Sequence, residues 1–561
     1  MQSLFRAIRL MICWSLLLSL PALGMAQSVI GTTKLKRFPT EGFDIYPYDY
    51  LDQYGYSAFV AHDPAVRISD GEVVYLWHEE RSGFRDRSLR KYNVLMELVW
   101  ETELTLERQE EILHLYYQDT TIFVLVSQYQ PFQNQHIVKA YRFGVESGEQ
   151  YEQDEIWFLG GKDDRYPQFE LAPNREEFLL YYFAPQNPNK RVSFFYDFIQ
   201  RDERAGYRVT GAEQIHFARF NLELEKVQEG IILLGNKKLL TVGCQLDNEG
   251  NVYALSFLKP EMLKVFQYHA QSQEQRELEL AEFVPILDLR DPYSTHLPAV
   301  LGRDERVLIA RSKRKKKGKD KGTKGFQIIE FDFQNNRIDT SRNLVTTSTL
   351  QVLVEKERKD FGLRPAKRFD DYMIRDILEL PDSSIWLVTQ KYTFLSSRSR
   401  PSSFDYGPTD QQMDELVLYE FTPESKARQA LIVPTSQNSQ FLAERMGQFY
   451  QMNIHPTSGN LQLITREPSG DELKGPDRLY YREVDLNGPT VSERIQLYDG
   501  DRREQFYLKA YTEWLNPDIV SFLMIDGEGG TAYGVSVNVV MPPIEEEDDK
   551  KKKWWQGVGN R

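Results

Sequence analysis

The stretch Lys238-Leu-Leu-Thr-Val-Gly-Cys-Gln-Leu-Asp-Asn-Glu-Gly-Asn-Val-Tyr-Ala-Leu-Ser-Phe257 consists of two apolar runs separated by a short polar segment that contains a glycine. Such runs are typical of β-strands, and the residues from Asp247 to Asn251 can supply the left-handed positions of a tight turn. The stretch therefore predicts a β-hairpin.

Seven further parts of the chain repeat this order of strand, turn and strand; they are residues 65–77, 112–126, 168–183, 297–310, 374–388, 449–464 and 508–524. Further strand-like segments lie between the hairpins, for example 93–100, 136–143, 191–198, 326–333 and 415–421. The turns recur at roughly 50 to 80 residues, and repeated units of about four strands are typical of blades around a central axis. The sequence thus predicts an all-β fold, a single β-propeller.

The eighth unit ends at residues 531–539 without a fourth strand, and residues 29–38 form a lone strand-like segment near the N-terminus. We predict that this N-terminal strand closes the ring, because closure removes open sheet edges. Eight blades are preferred and seven are the alternative, since residues 28–66 are ambiguous. Two β-sandwiches are the other architecture that the strand pattern allows.

The ends of the chain differ from the repeats. Arg6 and Arg9 precede an apolar run and then small residues, so residues 1–26 are predicted to be a signal peptide that directs secretion, and no membrane span is expected after its cleavage. Residues 27–541 form the propeller, and residues 542–561 form a charged tail that is predicted to be disordered. Only Cys244 remains in the mature chain, so no intrachain disulfide is expected.

The formal charge of -14 becomes -16 after loss of the two arginines of the signal peptide, which argues against specific or surface-wide nucleic-acid binding. The sequence contains no nucleophile elbow, metalloprotease helix, phosphate-binding loop or paired-cysteine spacing. We therefore expect no catalytic residues, no metal and no cofactor.

Long segments between second and third strands are the expected binding loops, because loops on a rigid scaffold carry most binding functions. Five were predicted to share one face of the ring: 78–91, 184–191, 311–325, 391–414 and 466–477. Two of them are basic. Their candidate ligand-binding residues are Arg81, Arg85, Arg87, Arg311, Lys313, Arg314, Lys315, Lys316 and Lys317. A run of like charges can bind an anionic partner, or it can be a solvated loop tip.

The segment from Lys359-Asp-Phe-Gly through Tyr372-Met-Ile-Arg-Asp-Ile-Leu-Glu-Leu-Pro-Asp-Ser-Ser-Ile-Trp-Leu-Val-Thr-Gln-Lys-Tyr392, with Asp414-Glu-Leu-Val-Leu-Tyr-Glu-Phe421, resembles secreted β-propeller-like proteins of Bacteroidota of unknown function. Ser383-Ser384 stand where that family usually has a glycine pair. The resemblance implies a place in the periplasm, on the outer-membrane surface or outside the cell.

The favoured function is non-catalytic binding of a protein or polysaccharide of the cell envelope through the long-loop face. One alternative is a glycan-active hydrolase or lyase with carboxylates at the axis, and another is a structural subunit of an envelope complex.

Overall fold

A computed structural model gives the fold of the chain. It describes residues 29–35, 64–69, 71–81, 84–107, 110–160, 167–187, 193–196, 207–210, 212–235, 239–258, 262–281, 299–314, 323–345, 359, 372–394, 411–422, 427–433, 435, 437–439, 450–468, 477–488, 490–498, 505–526 and 531–539. The strands in these residues form eight antiparallel sheets of four or five strands and one two-stranded sheet. The predicted signal peptide and the charged tail lie outside the described residues.

The first strand of the chain is β1 (Val29–Leu35), and the eight large sheets follow as blades 1 to 8. Blades 1 to 4 contain β2 (Ala65–Ser69), β3 (Glu72–Arg81), β4 (Phe84–Asn93), β5 (Leu98–Glu103); β6 (Glu110–Gln118), β7 (Thr121–Gln130), β8 (Gln135–Gly144), β9 (Gln150–Gly160); β10 (Gln168–Leu171), β11 (Glu177–Ala184), β14 (Gln214–Asn221), β15 (Lys226–Leu233); and β16 (Leu239–Leu246), β17 (Val252–Leu258), β18 (Met262–Tyr268), β19 (Gln275–Ala281). The two-stranded sheet, β12 (Ser193–Tyr196) with β13 (Tyr207–Thr210), is inserted within blade 3.

The second half of the chain builds blades 5 to 8. They contain β20 (Ala299–Gly302), β21 (Arg306–Arg314), β22 (Thr323–Asp332), β23 (Arg337–Asp339), β24 (Asn343–Val345); β25 (Tyr372–Glu379), β26 (Ile385–Phe394), β27 (Gln411–Phe421), β28 (Ala427–Val433), β29 (Gln437–Ser439); β30 (Tyr450–Ile454), β31 (Leu461–Pro468), β32 (Asp477–Asp485), β33 (Thr490–Val491), β34 (Ile495–Gln496); and β35 (Gln505–Asn516), β36 (Ile519–Asp526), β37 (Thr531–Asn538) with β1.

The hydrophobic core shows how the blades are arranged. It is divided into eight clusters of buried residues, and each cluster is shared by two consecutive blades. The cluster of blades 8 and 1, for example, packs Tyr511 and Leu523 against Tyr75 and Trp77. Every blade therefore has two buried faces, which explains why strands such as β7 and β11 are apolar along nearly their whole length. The molecule is an eight-bladed β-propeller, as the sequence predicts.

The ring is closed by the N-terminal strand. β1 pairs with β37 in an antiparallel ladder that runs from Val29 opposite Val537 to Leu35 opposite Ala532. The first strand of blade 8 in the chain, β35, lies beside β2 of blade 1. Blade 8 is thus built from both ends of the described chain, and this part of the prediction is confirmed.

The hairpin quoted first forms β16 and β17 of blade 4, and its turn has the predicted conformation. Gly250 has a φ of 83°, in the left-handed region that glycine favours. The Asp247 carboxylate accepts hydrogen bonds from the backbone N–H groups of Glu249 and Asn251, at 3.0 and 2.7 Å. The polar turn residues therefore replace the backbone bonds that the strands lose there.

The structure corrects several local predictions. Residues 78–91 are not a long loop, because His78 pairs with Arg87 and Arg81 with Phe84, so β3 and β4 continue almost to the tip of their hairpin. The predicted strand 93–100 is interrupted by a turn at residues 94–97, between the end of β4 at Asn93 and the start of β5 at Leu98. The predicted strand 191–198 contains β12, but the third strand of blade 3 is β14. The predicted loops 311–325, 391–414 and 466–477 are shorter than expected, since the strands beside them extend further. The predicted loop 184–191 is longer, because the connection from β11 to β14 covers residues 185–213 and includes β12 and β13.

Candidate functional site

The antiparallel order gives the ring two different faces. We call the face with the turns between first and second strands the turn face; these turns are residues 70–71, 119–120, 172–176, 247–251, 303–305, 380–384, 455–460 and 517–518. We call the opposite face, where second strands end and third strands begin, the loop face; its connections are residues 82–83, 131–134, 185–213, 259–261, 315–322, 395–410, 469–476 and 527–530.

The turn face is tied together by bonds between neighbouring blades. The Arg306 guanidinium of blade 5 forms an ion pair with the Glu379 carboxylate of blade 6 at 2.5 Å, and the Glu379 carboxylate also accepts the backbone N–H of Arg303 at 2.9 Å. Asn174 of blade 3 donates its backbone N–H to the Asn248 side chain of blade 4 at 2.8 Å. These short, bonded turns leave little chain for binding a ligand.

The first basic candidate segment is the tip of the β3–β4 hairpin in blade 1, on the loop face. Arg81 is the last residue of β3, and Arg85 and Arg87 lie on β4. The Arg87 guanidinium is half-buried and its Nη1 lies 3.5 Å from the Glu110 carbonyl oxygen of blade 2. Arg87 therefore reaches toward the cleft between blades 1 and 2.

A buried network of charged and polar groups lies at that cleft. The Glu110 carboxylate is fully buried, pairs with the Lys139 ammonium at 2.7 Å and accepts the Tyr141 hydroxyl at 2.9 and 3.0 Å. The backbone N–H of Glu107 donates to the same carboxylate at 2.7 Å. A buried charge that has a partner and several hydrogen bonds fixes the local geometry, so the base of the basic hairpin is rigid.

The second basic candidate segment joins β21 and β22 in blade 5. Arg311, Lys313 and Arg314 lie on β21, which the sequence analysis had treated as loop, while Lys315, Lys316 and Lys317 fall outside the described residues. The Arg311 Nε donates to Gln327 at 2.8 Å, and Gln327 in turn donates to the Thr340 carbonyl at 2.7 Å. Burial lowers the pKa of Arg311 below its usual value. Arg311 thus belongs to the sheet.

The structure places the two basic segments on the same face and on opposite sides of the ring. Blades 2, 3 and 4 separate blade 1 from blade 5 in one direction, and blades 6, 7 and 8 separate them in the other. The six candidate residues that the structure describes therefore lie on two separate blades, with Arg81, Arg85 and Arg87 in blade 1 and Arg311, Lys313 and Arg314 in blade 5. A ligand that contacts both segments must extend across the axis.

Glu170 lies on β10, the first strand of blade 3, and no motif of the sequence marks it. Burial raises the pKa of this carboxyl group to about 7. Burial is also the main cause that raises the pKa of Tyr181 and of the Cys244 thiol on β16, and the negative charge of Glu170 adds to both effects. Gly243, beside the cysteine, lies at a β-bulge, and a Cβ there would be 3.0 Å from the Tyr181 hydroxyl. Bulges cannot be recognised from an alternating pattern, so no signal in the sequence indicated this contact.

The described residues show no group of three or more His, Cys, Asp or Glu side chains suited to holding a metal ion. His114, on β6, is buried and its ring stacks on Phe169 at 3.9 Å, so it belongs to the core. Within the same described ranges, no helix has the length and apolarity to cross a membrane.

No protein-family model matches the chain, and no curated protein matches it. Among solved structures it is similar to the β-propeller domain of the Trilobed protease from Pyrococcus furiosus, with 10% identity, a TM-score of 0.32 and coverage of 79% of this chain and 100% of that one. It is also similar to Sqt1 from Chaetomium thermophilum (8% identity, TM-score 0.40, 85% and 97% covered) and to Porphyromonas gingivalis dipeptidyl peptidase 4 (6%, 0.36, 81% and 56%).

The chain spans about half the length of the first two peptidase structures that it matches, 53% and 56%. At these identities and TM-scores the likeness says nothing about activity. The assignment of the chain as a β-propeller follows from its own eight sheets and from the order in which they pack.

Proposed function

We propose that this protein is an exported binding scaffold that holds a protein or polymeric, anionic ligand of the cell envelope on its loop face, without catalysis. The observation that supports it best is the difference between the two faces. The turn face has short connections that bond to neighbouring blades, whereas the loop face contains long connections such as residues 185–213 and 395–410. Long connections on a rigid ring are where binding functions are usually found.

Charge supports the anionic character of the ligand. The connection 315–322 contains five lysines and one acid, in a chain whose formal charge is -14. A local positive patch on an acidic protein attracts anions over a distance of about one Debye length, roughly 10 Å at 0.1 M salt. The proposal of export is based on the apolar N-terminal segment of the sequence. If the segment is a signal peptide, the mature chain is expected to begin at Gln27.

The test neutralises the connection and leaves the blade intact. We expect the triple variant Lys315→Gln, Lys316→Gln, Lys317→Gln to bind polyphosphate about tenfold more weakly than the wild type at low salt, and the difference to shrink as salt is added. Fluorescence anisotropy at several salt concentrations measures this. The matched control is Lys226→Gln with Lys264→Gln, two lysines on strands β15 and β18 that already pair with glutamates. Equal affinities of the triple variant and the wild type would exclude the role of this connection.

A further inference from the structure

A second feature of the loop face is a buried arginine without a counter-charge. The Arg478 side chain of β32, in blade 7, belongs to a residue that is only 6% exposed. Its Nη1 atom is buried and has no hydrogen-bond partner, and no residue that the structure describes forms an ion pair with it. A buried charge without a partner is strongly unfavourable in a folded protein, so this site requires an explanation.

The Glu467 carboxylate on the neighbouring strand is not the partner of Arg478. Glu467 lies directly opposite Arg478 in the ladder, and its side chain is fully buried. It accepts hydrogen bonds from the Thr465 hydroxyl at 2.6 Å and from the Arg482 guanidinium at 3.0 and 3.2 Å, and the Arg494 guanidinium lies at 3.4 Å. The acceptor capacity of Glu467 is therefore used by other groups.

The surplus charge is concentrated on one face of blade 7. Residues 478, 480 and 482 of β32 point to the same side, because side chains alternate along a strand. The Arg494 guanidinium lies over the Tyr480 ring, 4.6 Å from its centroid. Among the residues of this face that the structure describes, Arg478, Arg482 and Arg494 are positively charged, and Glu467, which pairs with Arg482 and Arg494, is negatively charged.

This face borders the cleft between blades 6 and 7. Leu463 and Val484, on the same side of the sheet as Arg482, pack against Trp386 and Val388 of blade 6. Gln390 follows on the same side of β26, is fully buried, and its Nε2 has no hydrogen-bond partner. Blades 6 and 7 thus each have, on the side that faces the other, a buried nitrogen donor without an acceptor, toward the end of the strands that opens on the loop face.

We propose that the cleft between blades 6 and 7 binds an oxyanion, a phosphate, sulfate or carboxylate group, with Arg478 as its principal ligand. Guanidinium groups bind such oxyanions through paired N–H donors, and a desolvated site strengthens these charge-assisted bonds. The Gln390 amide, whose Nε2 has no hydrogen-bond partner, provides a further donor. The site lies in blade 7, apart from the basic segments of blades 1 and 5, and does not depend on them.

The test titrates the full mature chain with sodium phosphate, sulfate or acetate, and sodium chloride at equal ionic strength is the reference. Calorimetry measures the Kd, and the melting temperature is measured with and without each anion. The wild type is expected to bind at least one oxyanion and to melt at a higher temperature with it, since a ligand that binds only the native state stabilises it. Arg478→Met is expected to raise the Kd at least about tenfold and to remove the rise in melting temperature. Comparison of the three Kd values shows whether the site prefers a phosphate, a sulfate or a carboxylate group.

The melting temperature of Arg478→Met in the absence of the anion shows whether Arg478 has a binding role or a structural role. Arg478→Met should melt at the same temperature as the wild type or higher, because it removes an unpaired buried charge. Arg342→Met is the control: Arg342 is similarly buried but donates to Glu330, so its loss should lower the melting temperature and leave anion binding unchanged. Should Arg478→Met fail to fold, Arg478→Lys keeps the charge and tests the paired donors. Unchanged affinity in the Arg478 variants, or no difference between oxyanions and chloride in the wild type, overturns the proposal.

Discussion

Glu170 is the residue at which the stability of the ring should depend most clearly on pH. Burial raises its pKa from 4.5 to about 7. An acid whose pKa is raised on folding contributes stability below its unfolded pKa, and this contribution is lost as the pH rises through the folded value. As the pH rises from 4.5 to 7, ionisation of the Glu170 side chain should therefore progressively lower the free energy of unfolding.

We predict that Glu170→Gln removes this dependence. Relative to the wild type, the variant should gain about 1–3 kcal/mol in the free energy of unfolding between pH 5 and pH 8, the upper end being the full pKa shift and the lower end allowing for partial exposure. Urea unfolding at the two pH values measures it. Glu229→Gln is the control, because a hydrogen bond from Lys226 lowers the pKa of Glu229. A variant whose stability relative to the wild type is the same at both pH values would contradict the prediction.

Ser383 provides a second test at the scale of one residue. It lies in the β25–β26 turn with a φ of 65°, in the left-handed region that glycine favours. A side chain in this left-handed conformation costs about 1 kcal/mol relative to glycine. The neighbouring Ser384 has a different role, since its hydroxyl donates to the Asp382 carboxylate at 2.6 Å.

We therefore predict opposite effects of two adjacent substitutions. Ser383→Gly should stabilise the protein by up to about 1 kcal/mol, and Ser384→Gly should destabilise it by about 1 kcal/mol through the lost hydrogen bond. The melting temperatures of the two variants give the comparison. Equal shifts in one direction would show that the φ of Ser383 is not the cause.

At the scale of the strands, the sequence predicted those parts that lie in the core. The apolar alternation of each first and second strand follows from burial between two blades, so all eight hairpins could be recognised. The tip of the β3–β4 hairpin, beyond His78, could not be recognised as strand. Its polar residues continue the backbone ladder past the core, where side chains no longer need to be apolar. The bulges in β2, β6, β16 and β25 could not be predicted from the alternating pattern either. The environment of Arg478 could not be predicted because it depends on how the blades pack against each other.

The closing strand β1 is the element whose contribution is easiest to isolate. Successive residues of a strand direct their N–H groups to opposite sides, so prolines at both Thr32 and Thr33 must remove a donor that faces β37. We predict that Thr32→Pro with Thr33→Pro lowers the free energy of unfolding by at least about 1–3 kcal/mol. Thr32→Ala with Thr33→Ala is the control that keeps both donors, and urea unfolding compares the two. Equal stability of the two double variants would mean that β1 does not contribute its ladder to the ring.

At the scale of the whole ring, the two basic segments lie on opposite sides of the axis. A short anionic ligand can contact only one of them at a time, whereas a chain long enough to cross the ring can contact both. In the second case binding at one segment raises the effective concentration of ligand at the other. Ligand length, rather than charge alone, should therefore control affinity.

We predict that polyphosphate binding to the wild type becomes tighter in one step once the chain can span the ring. Arg81→Gln with Arg85→Gln, or the triple lysine variant of blade 5, should abolish this step and weaken long chains by tenfold or more, while short chains lose only a few-fold. Anisotropy titrations with chains of graded length measure the step, with the double variant of Lys226 and Lys264 as the control. Affinity that rises smoothly with length, and falls by one factor for all lengths in each variant, would indicate that the two segments bind independently.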